Sequence, residues 1–347
     1  MTKSISELLD IYIITFNRAK ALDKTFEQIL AENSPIKDYE IQIIDNNSSD
    51  NTSLIVQKWQ KNHPNIKYTK NKYNIGGNAN IMKAFLTANK KYIWVLCDDD
   101  NYQWDSWSEV EAAVKDNENA IIVGNTDEPQ MSIAQLFAQT SFVPSVIYKT
   151  SLIDSDVVDN MTYNISNMFP HMAISAKLIN EHISFKIVSK EIVIYGKPDI
   201  PIEQTYTRGL SSDNLHPFRK NLMYLAGYAS ATLLIKDKKL RKEILCKRHF
   251  YNPHINSIEL FALNDSKYNG SIYNLLCIFL ALDIWGKVEF LLKFFLYKIL
   301  GKVFFIYKNE YIDKTTNEIV IDYRMKILSI IKTKLFKRKF KRGVYTK

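Results

Sequence analysis

Cysteine is scarce in this chain: Cys97, Cys246 and Cys277 are odd in number, far apart and set among apolar neighbours. No His or Cys stands at zinc-ligand spacing from any of them, so neither a disulfide framework nor a zinc site is expected, and the thiols read as core residues of a reducing compartment. A cationic stretch followed by an apolar run and a small-residue cleavage site is also missing from the start. MTKSISELLDIYIITF is therefore expected to be mature protein in the cytoplasm. The apolar stretch from Leu275 to Tyr307 is interrupted by Asp283, Lys287, Glu289, Lys293, Lys298 and Lys302, too many charges for a transmembrane helix. There is no internal repeat and no low-complexity segment.

What is present is a split of charge. The formal net charge is +9, yet residues 216–347 hold 26 Lys and Arg against 10 Asp and Glu, while the first 215 residues hold 20 against 27. An acidic N-terminal part suits a metal site, and a basic C-terminal part suits phosphates or an anionic membrane surface. The boundary is placed so that residues 1–214 form the catalytic domain and 215–347 a basic helical region for membrane association or oligomerisation.

The N-terminal half alternates two kinds of segment. Ile11 to Thr15, Glu40 to Asp45, Ile66 to Thr69, Tyr92 to Leu96 and Ala120 to Val123 are short and rich in Ile and Val, as strands are. Ala19 to Ala31, Thr52 to Lys61 and Asn78 to Asn89 have helical apolar spacing. This alternation predicts an α/β fold with a mostly parallel, doubly wound, Rossmann-like sheet, whose ligands sit beyond the carboxyl ends of the strands. Further on, Ser145 to Tyr148 and Ile192 to Tyr195 are expected strands, Met168 to Glu181 a helix, and Gly196 to Asn214 a long loop. Helices are expected over Leu215 to Ile235, Lys236 to Lys247, Ser271 to Tyr307 and Tyr323 to Lys341.

Each early strand runs into polar residues. The most apolar one, YIWVLC, ends in Asp98, Asp99 and Asp100. Three adjacent carboxylates repel one another, so the cluster implies either a solvated turn or a cation; Mg²⁺ or Mn²⁺ activating a diphosphate is commonly held by one or two carboxylates. The second strand ends in Asp45, Asn46, Asn47, Ser48, Ser49 and Asp50, a helix-capping turn in which Asp45 is also placed to accept the N3–H of a pyrimidine. Phe16 is a core aromatic or a stacking partner for that base, and Gly76 and Gly77 allow close backbone approach to phosphate or ribose.

Together, IITFNR, IIDNNSSDNT, NIGGNAN and VLCDDDN, in this order, resemble the motifs of the GT-A glycosyltransferases of family 2 over about residues 10 to 125. The resemblance implies that Thr15, Phe16, Asn17, Arg18, Asp45, Asn47, Gly76 and Gly77 bind the nucleotide, with Asp98 on the ribose or sugar. It implies that Asp98 to Asp100 meet the diphosphate and Mn²⁺ or Mg²⁺; three consecutive aspartates leave open which two form the metal pair, and Asp99 and Asp100 are the expected two. Inverting members carry a Glu-Asp pair farther on; here the stretch reads NMFPH, which puts His171 where the base is expected. His171 is either that general base or a histidine hydrogen-bonding backbone at a helix start, and Asp154, Asp156 and Asp159 are the substitutes.

The reading is a metal-dependent, inverting transferase that moves a sugar from a nucleotide-sugar donor, UDP-linked, to a glycan or lipid-linked acceptor. Arg208, in the long loop, is placed to neutralise the leaving diphosphate as a lid closes. From Arg324 to Arg342 nine Lys and Arg occur with no acid and with Leu, Ile and Phe between them. This predicts either a peripheral attachment to the inner face of a membrane or a helical oligomer contact. Two rivals are weaker. A nucleotidyltransferase needs a Gly-rich triphosphate loop, and TFNRAKALDK has no glycine; a nucleic-acid-binding protein leaves the aspartates unexplained and shows no binding module.

Overall fold

The computed structural model describes residues 4–124, 131–165, 168–196, 217–247, 270–300, 307–312 and 319–324. The chain divides into two compact units, Met1–Asn214 and Leu215–Lys347.

In the first unit, a short helix α1 (Ile5–Leu8) leads into β1 (Leu9–Thr15), and α2 (Ala19–Ile29), β2 (Ile41–Asp45), α3 (Thr52–Gln60), β3 (Ile66–Lys70), α4 (Gly77–Thr87) and β4 (Tyr92–Cys97) follow. Leu22, Phe26 and Ile29 of α2 are buried, at the i, i+4, i+7 spacing of one helical face, while Lys20, Lys24 and Glu27 stay exposed. Tyr92 to Leu96 are all buried because β4 is covered on both faces, which is why it reads as an unbroken apolar run.

β3, β2, β1 and β4 are parallel and neighbouring, in that order. The parallel run stops there. Beyond β5 (Asn101–Tyr102) and α5 (Trp107–Lys115), β6 (Ala120–Ile122) is separated from β4 by β7 (Val146–Lys149), which is antiparallel to both. Between them comes α6 (Ile133–Gln139); α7 (Ser155–Asn164), α8 (Met172–Asn180), β8 (Lys186–Ile187) and β9 (Val193–Ile194) complete the unit. β8 closes the seven-stranded sheet beside β6, and β9 forms a separate antiparallel pair with β5.

The second unit contains helices Pro217–Leu233, Lys238–Lys247, Gly270–Ala281 and Ile284–Leu300 and an antiparallel hairpin of Tyr307–Ile312 with Ile319–Arg324. Two expectations are corrected here. The single helix expected from Ser271 to Tyr307 is interrupted at Leu282 and Asp283, where the Asp283 carboxylate accepts the Gly286 N–H at 2.8 Å and restarts the helix. Tyr323 and Arg324 begin no helix: they end a strand whose Ile319, Val320 and Ile321 are β-branched. The loop with Arg208, and the tail after Arg324, lie outside the described residues.

The carboxyl edge of the sheet is braced by Asp50. One of its oxygens accepts from the backbone of Thr52 at 3.0 Å and the other from the backbone of Ala19 at 3.0 Å, so one carboxylate serves the amino ends of both α3 and α2. An N-cap acceptor is worth about 1 kcal/mol. Asp50→Ala should lower stability by about 1–2 kcal/mol in urea unfolding with an unchanged denaturant slope, because two amide groups lose their acceptor while the buried surface stays the same.

Candidate active site

Register decides what meets at the carboxyl edge. Thr15 of β1 pairs with Asp45 of β2, Asp45 with Lys70 of β3, and Ile14 with Cys97 of β4. The turn after each of the first three strands contains a left-handed residue: Asn17 with φ 51°, Asn47 with φ 69° and Gly76 with φ 88°. Asparagine tolerates this region better than other side chains, and glycine tolerates it freely, which accounts for the residue types at these corners.

The corners are tied to one another. The Asn17 amide oxygen accepts the Ser49 N–H at 2.7 Å, and the Asn17 N–H donates to Ser48 Oγ at 2.8 Å. Asn46 links the second and third turns: its Oδ1 accepts from Asn71 Nδ2 at 3.1 Å and from the Ile75 N–H at 2.9 Å, and its Nδ2 donates to Asn74 Oδ1 at 2.7 Å. Asn71 in turn donates to Asn80 Oδ1 at 2.9 Å, and Asn80 Nδ2 donates to the Ile44 carbonyl at 3.1 Å. This asparagine network, which sequence reasoning missed, was signalled by the density of Asn in NKYNIGGNAN.

Asp45 belongs to the same scaffold. It is 0% exposed, with one oxygen accepting the Ser48 N–H at 2.7 Å and the other accepting the Tyr68 hydroxyl at 2.5 Å. Asp45, expected to face a pyrimidine, holds the second turn through both oxygens. Phe16 is half-buried, Asn47 and Gly77 are exposed, and a Cβ at Gly77 would meet nothing within 4 Å, so open space lies beside the third turn.

The three aspartates differ sharply in surroundings. Asp98 and Asp100 are buried and Asp99 is half-exposed. Arg18 pairs with Asp98 at 2.8 Å and with Asp99 at 2.7 Å. Burial works against its charge, but the two carboxylates outweigh burial and raise its pKa. Burial pushes Asp98 up to about 6 even against the attraction of Arg18. Burial and the neighbouring Asp99 push Asp100 up to about 8, although the Gly196 N–H donates to Asp100 Oδ1 at 3.1 Å. A Cβ at Gly196 would stand 1.6 Å from the Asp99 carbonyl oxygen, so only glycine lets the chain after β9 close on the cluster.

Among the described residues one guanidinium therefore faces three carboxylates, and one oxygen each of Asp98 and Asp100 is buried without a hydrogen bond. Carboxylate oxygens of Asp99 and Asp100 and the Cys97 sulfur lie within 4.8 Å of one another. Burial raises the Cys97 thiol well above its usual range, so it stays protonated and leaves an oxygen donor set. That set fits a hard divalent cation, which would supply the missing positive charge.

His171 is placed otherwise than a general base requires. It is 1% exposed, immediately before α8, and its Nε2 donates to the Thr140 carbonyl at 2.9 Å. Burial lowers its pKa to about 4, so the ring is neutral and weakly basic at neutral pH. Asp154 is spent on capping α7 through the Val157 N–H, at 3.0 Å, and on an ion pair with Lys177, and Asp156 and Asp159 are exposed on α7. The segment before His171 is nonetheless unusual: buried Met168 and Phe169 both have left-handed backbone, φ 92° and 60°. Such residues cost on the order of 1–3 kcal/mol each and concentrate at functional sites.

A mostly parallel α/β sheet with an acidic cluster and a braced set of turns at its carboxyl edge matches the GT-A fold. The chain belongs to Glycosyl transferase family 2, which it matches over residues 10–183. It is 39% identical over 93 residues to GalNAc(5)-diNAcBac-PP-undecaprenol beta-1,3-glucosyltransferase of Campylobacter jejuni, 26% of this chain and 29% of that protein. It is 32% identical over 100 residues to abequosyltransferase RfbV of Salmonella typhimurium, 28% of this chain and 30% of that one. The matches thus span less than a third of either relative. The fold is similar to that of S. aureus TarS residues 1–349 in complex with UDP-GlcNAc, with a TM-score of 0.53, 12% identity and coverage of 97% of this chain and 99% of that one.

The buried histidine has a consequence for stability. With a folded pKa near 4 against an ordinary 6.5, the unfolded chain binds the extra proton first, so stability should be lost as pH falls from about 6.5 to about 4. His171→Gln, which keeps a donor for Thr140, should flatten this part of the melting-temperature profile and leave sugar transfer within a few-fold of the parent. A transfer rate lowered a hundredfold with the melting profile unchanged would return His171 to the chemistry.

Proposed function

We propose that the chain is an inverting transferase that moves a sugar from a UDP-linked donor to a hydroxyl of a lipid-linked surface glycan, using Mn²⁺ or Mg²⁺. The observation that carries this reading is the aspartate cluster: three carboxylates at the carboxyl edge of the sheet, one Arg, and a buried Asp100 oxygen without a partner. Asp99 and Asp100 would hold the cation, which when bound offsets the charge of the donor's diphosphate. Arg18 keeps Asp98 and Asp99 oriented, and Gly196 keeps Asp100 oriented.

The nucleoside would lie over Thr15, Phe16, Asn17 and Asn47, where the left-handed turns expose backbone, with the diphosphate between Gly76, Gly77 and the aspartates. Asp45 serves this site by fixing the second turn. In the transfer the acceptor oxygen bonds to the anomeric carbon as the bond from that carbon to the diphosphate oxygen breaks. The hydroxyl proton is lost to a base, and UDP leaves with the bonding electrons. The acceptor class rests on one relative, whose name includes PP-undecaprenol.

The test is UDP binding by calorimetry with and without Mn²⁺, beside hydrolysis of UDP-sugars. The parent should bind UDP in a Mn²⁺-dependent way. Asp99→Asn with Asp100→Asn should abolish that dependence and reduce hydrolysis by on the order of 10² or more, with the fold retained. Equal Mn²⁺-dependent affinity in the double variant would remove the cluster from the mechanism.

A further inference from the structure

We propose that the last two long helices of the C-terminal unit form a docking surface for an anionic lipid bilayer. The inference deepens the reading of a lipid-linked acceptor and rests on a different part of the molecule. Helix Ile284–Leu300 has two apolar sides. One is buried, through Phe290, whose ring lies 5.4 Å from Phe279 of helix Gly270–Ala281, and through Lys293, which is paired with Glu289 at 2.5 Å. The other carries Trp285, Val288, Leu292, Phe295 and Ile299, all exposed, with Trp285 at 78%. Leu276 and Leu280 are exposed in the same way on the preceding helix.

At 100° per residue these side chains and their neighbours Ile284 and Leu291 cover a stripe roughly 120° wide. That is broader than the seam of a two-helix coiled coil and close to the face an interfacial helix lays into a membrane. No helix among the described residues is long and apolar enough to cross a membrane, so the stripe suits a surface bound in plane.

Charge selects the occupant. Lys287 and Lys298 fall together along one flank of the stripe by the same helical geometry. Their ammonium groups sit 5.6 Å from the rings of Phe279 and Phe294, so the positive charge is held at the border of the apolar stripe. A second copy packed on this stripe would bring lysine flank toward lysine flank within a region that already carries a surplus of 16 positive charges over residues 216–347. An anionic leaflet turns both features into attraction, at about 1 kcal/mol per cation near the surface.

The test uses full-length protein with phosphatidylcholine vesicles, with and without phosphatidylglycerol, and with brominated lipids as quenchers of tryptophan emission. The parent should sediment with anionic vesicles, less so at high salt, and its emission should be quenched. Trp285→Phe should lose most of that quenching, and combined Trp285→Ser, Leu292→Ser and Phe295→Ser should weaken binding by about tenfold or more with UDP binding unchanged. Two results overturn the proposal: equal vesicle binding by parent and triple variant, or a parent that ignores vesicles and sediments as a dimer that the triple variant dissociates. UDP binding is read separately, so a parent that binds vesicles but no nucleotide would sink the transferase reading and leave the docking surface standing.

Discussion

The pairing of Arg18 with Asp98 and Asp99 is the constraint on which the site depends. Among the described residues a single guanidinium neutralises part of a buried acidic cluster and leaves the rest short of positive charge. Full neutralisation by protein cations would make a rigid, inert corner. Without Arg18, burial and mutual repulsion would drive the carboxylates to their protonated forms. The intermediate balance keeps Asp98 mostly ionised near neutral pH while Asp100 retains its proton.

The cluster is held from two directions. From the sheet, the register of β1 and β4 brings the turn carrying Arg18 alongside Asp98, and Asp50, Ser48 and Asn17 fix that turn to the next one. From the far side, β9 pairs with β5, immediately after the aspartates, and delivers the Gly196 N–H to Asp100. Many buried polar groups here find partners, as low-dielectric surroundings demand. Among the described residues, one oxygen of Asp98 and one of Asp100 are buried without a hydrogen bond.

Much of this was legible in the sequence, for identifiable reasons. The first four strands and their helices were found because β-branched runs and 3.6-residue spacing are local signals, and three adjacent aspartates after an apolar strand are hard to read as chance. The place of β7 between β4 and β6 was not legible, since strand order depends on contacts between distant segments. For Asp45 and His171 the sequence left two readings each, chemical and structural. Their partners were not legible, since Tyr68 and Ser48 around the first and Thr140 beside the second come from distant segments or from the fold of the turn. The strained Met168 and Phe169 carry no sequence signal, because neither residue favours left-handed backbone. The break at Asp283 was within reach, since an Asp before IWGKVEF is an N-cap signal. The apolar pattern on both sides of it hid the interruption.

The central claim is that the aspartate cluster takes up a divalent cation in exchange for protons. It is tested most directly by titrating Mn²⁺ into the protein with UDP present, following free Mn²⁺ by electron paramagnetic resonance, and repeating the titration by calorimetry in buffers of different ionisation enthalpy. Because the metal-free site keeps Asp100 protonated up to about pH 8, uptake at pH 7 should release close to one proton, and affinity should rise with pH until about 8 and then level off. Uptake that releases no proton and is equally tight from pH 6 to pH 9, or no uptake at all, would contradict the account.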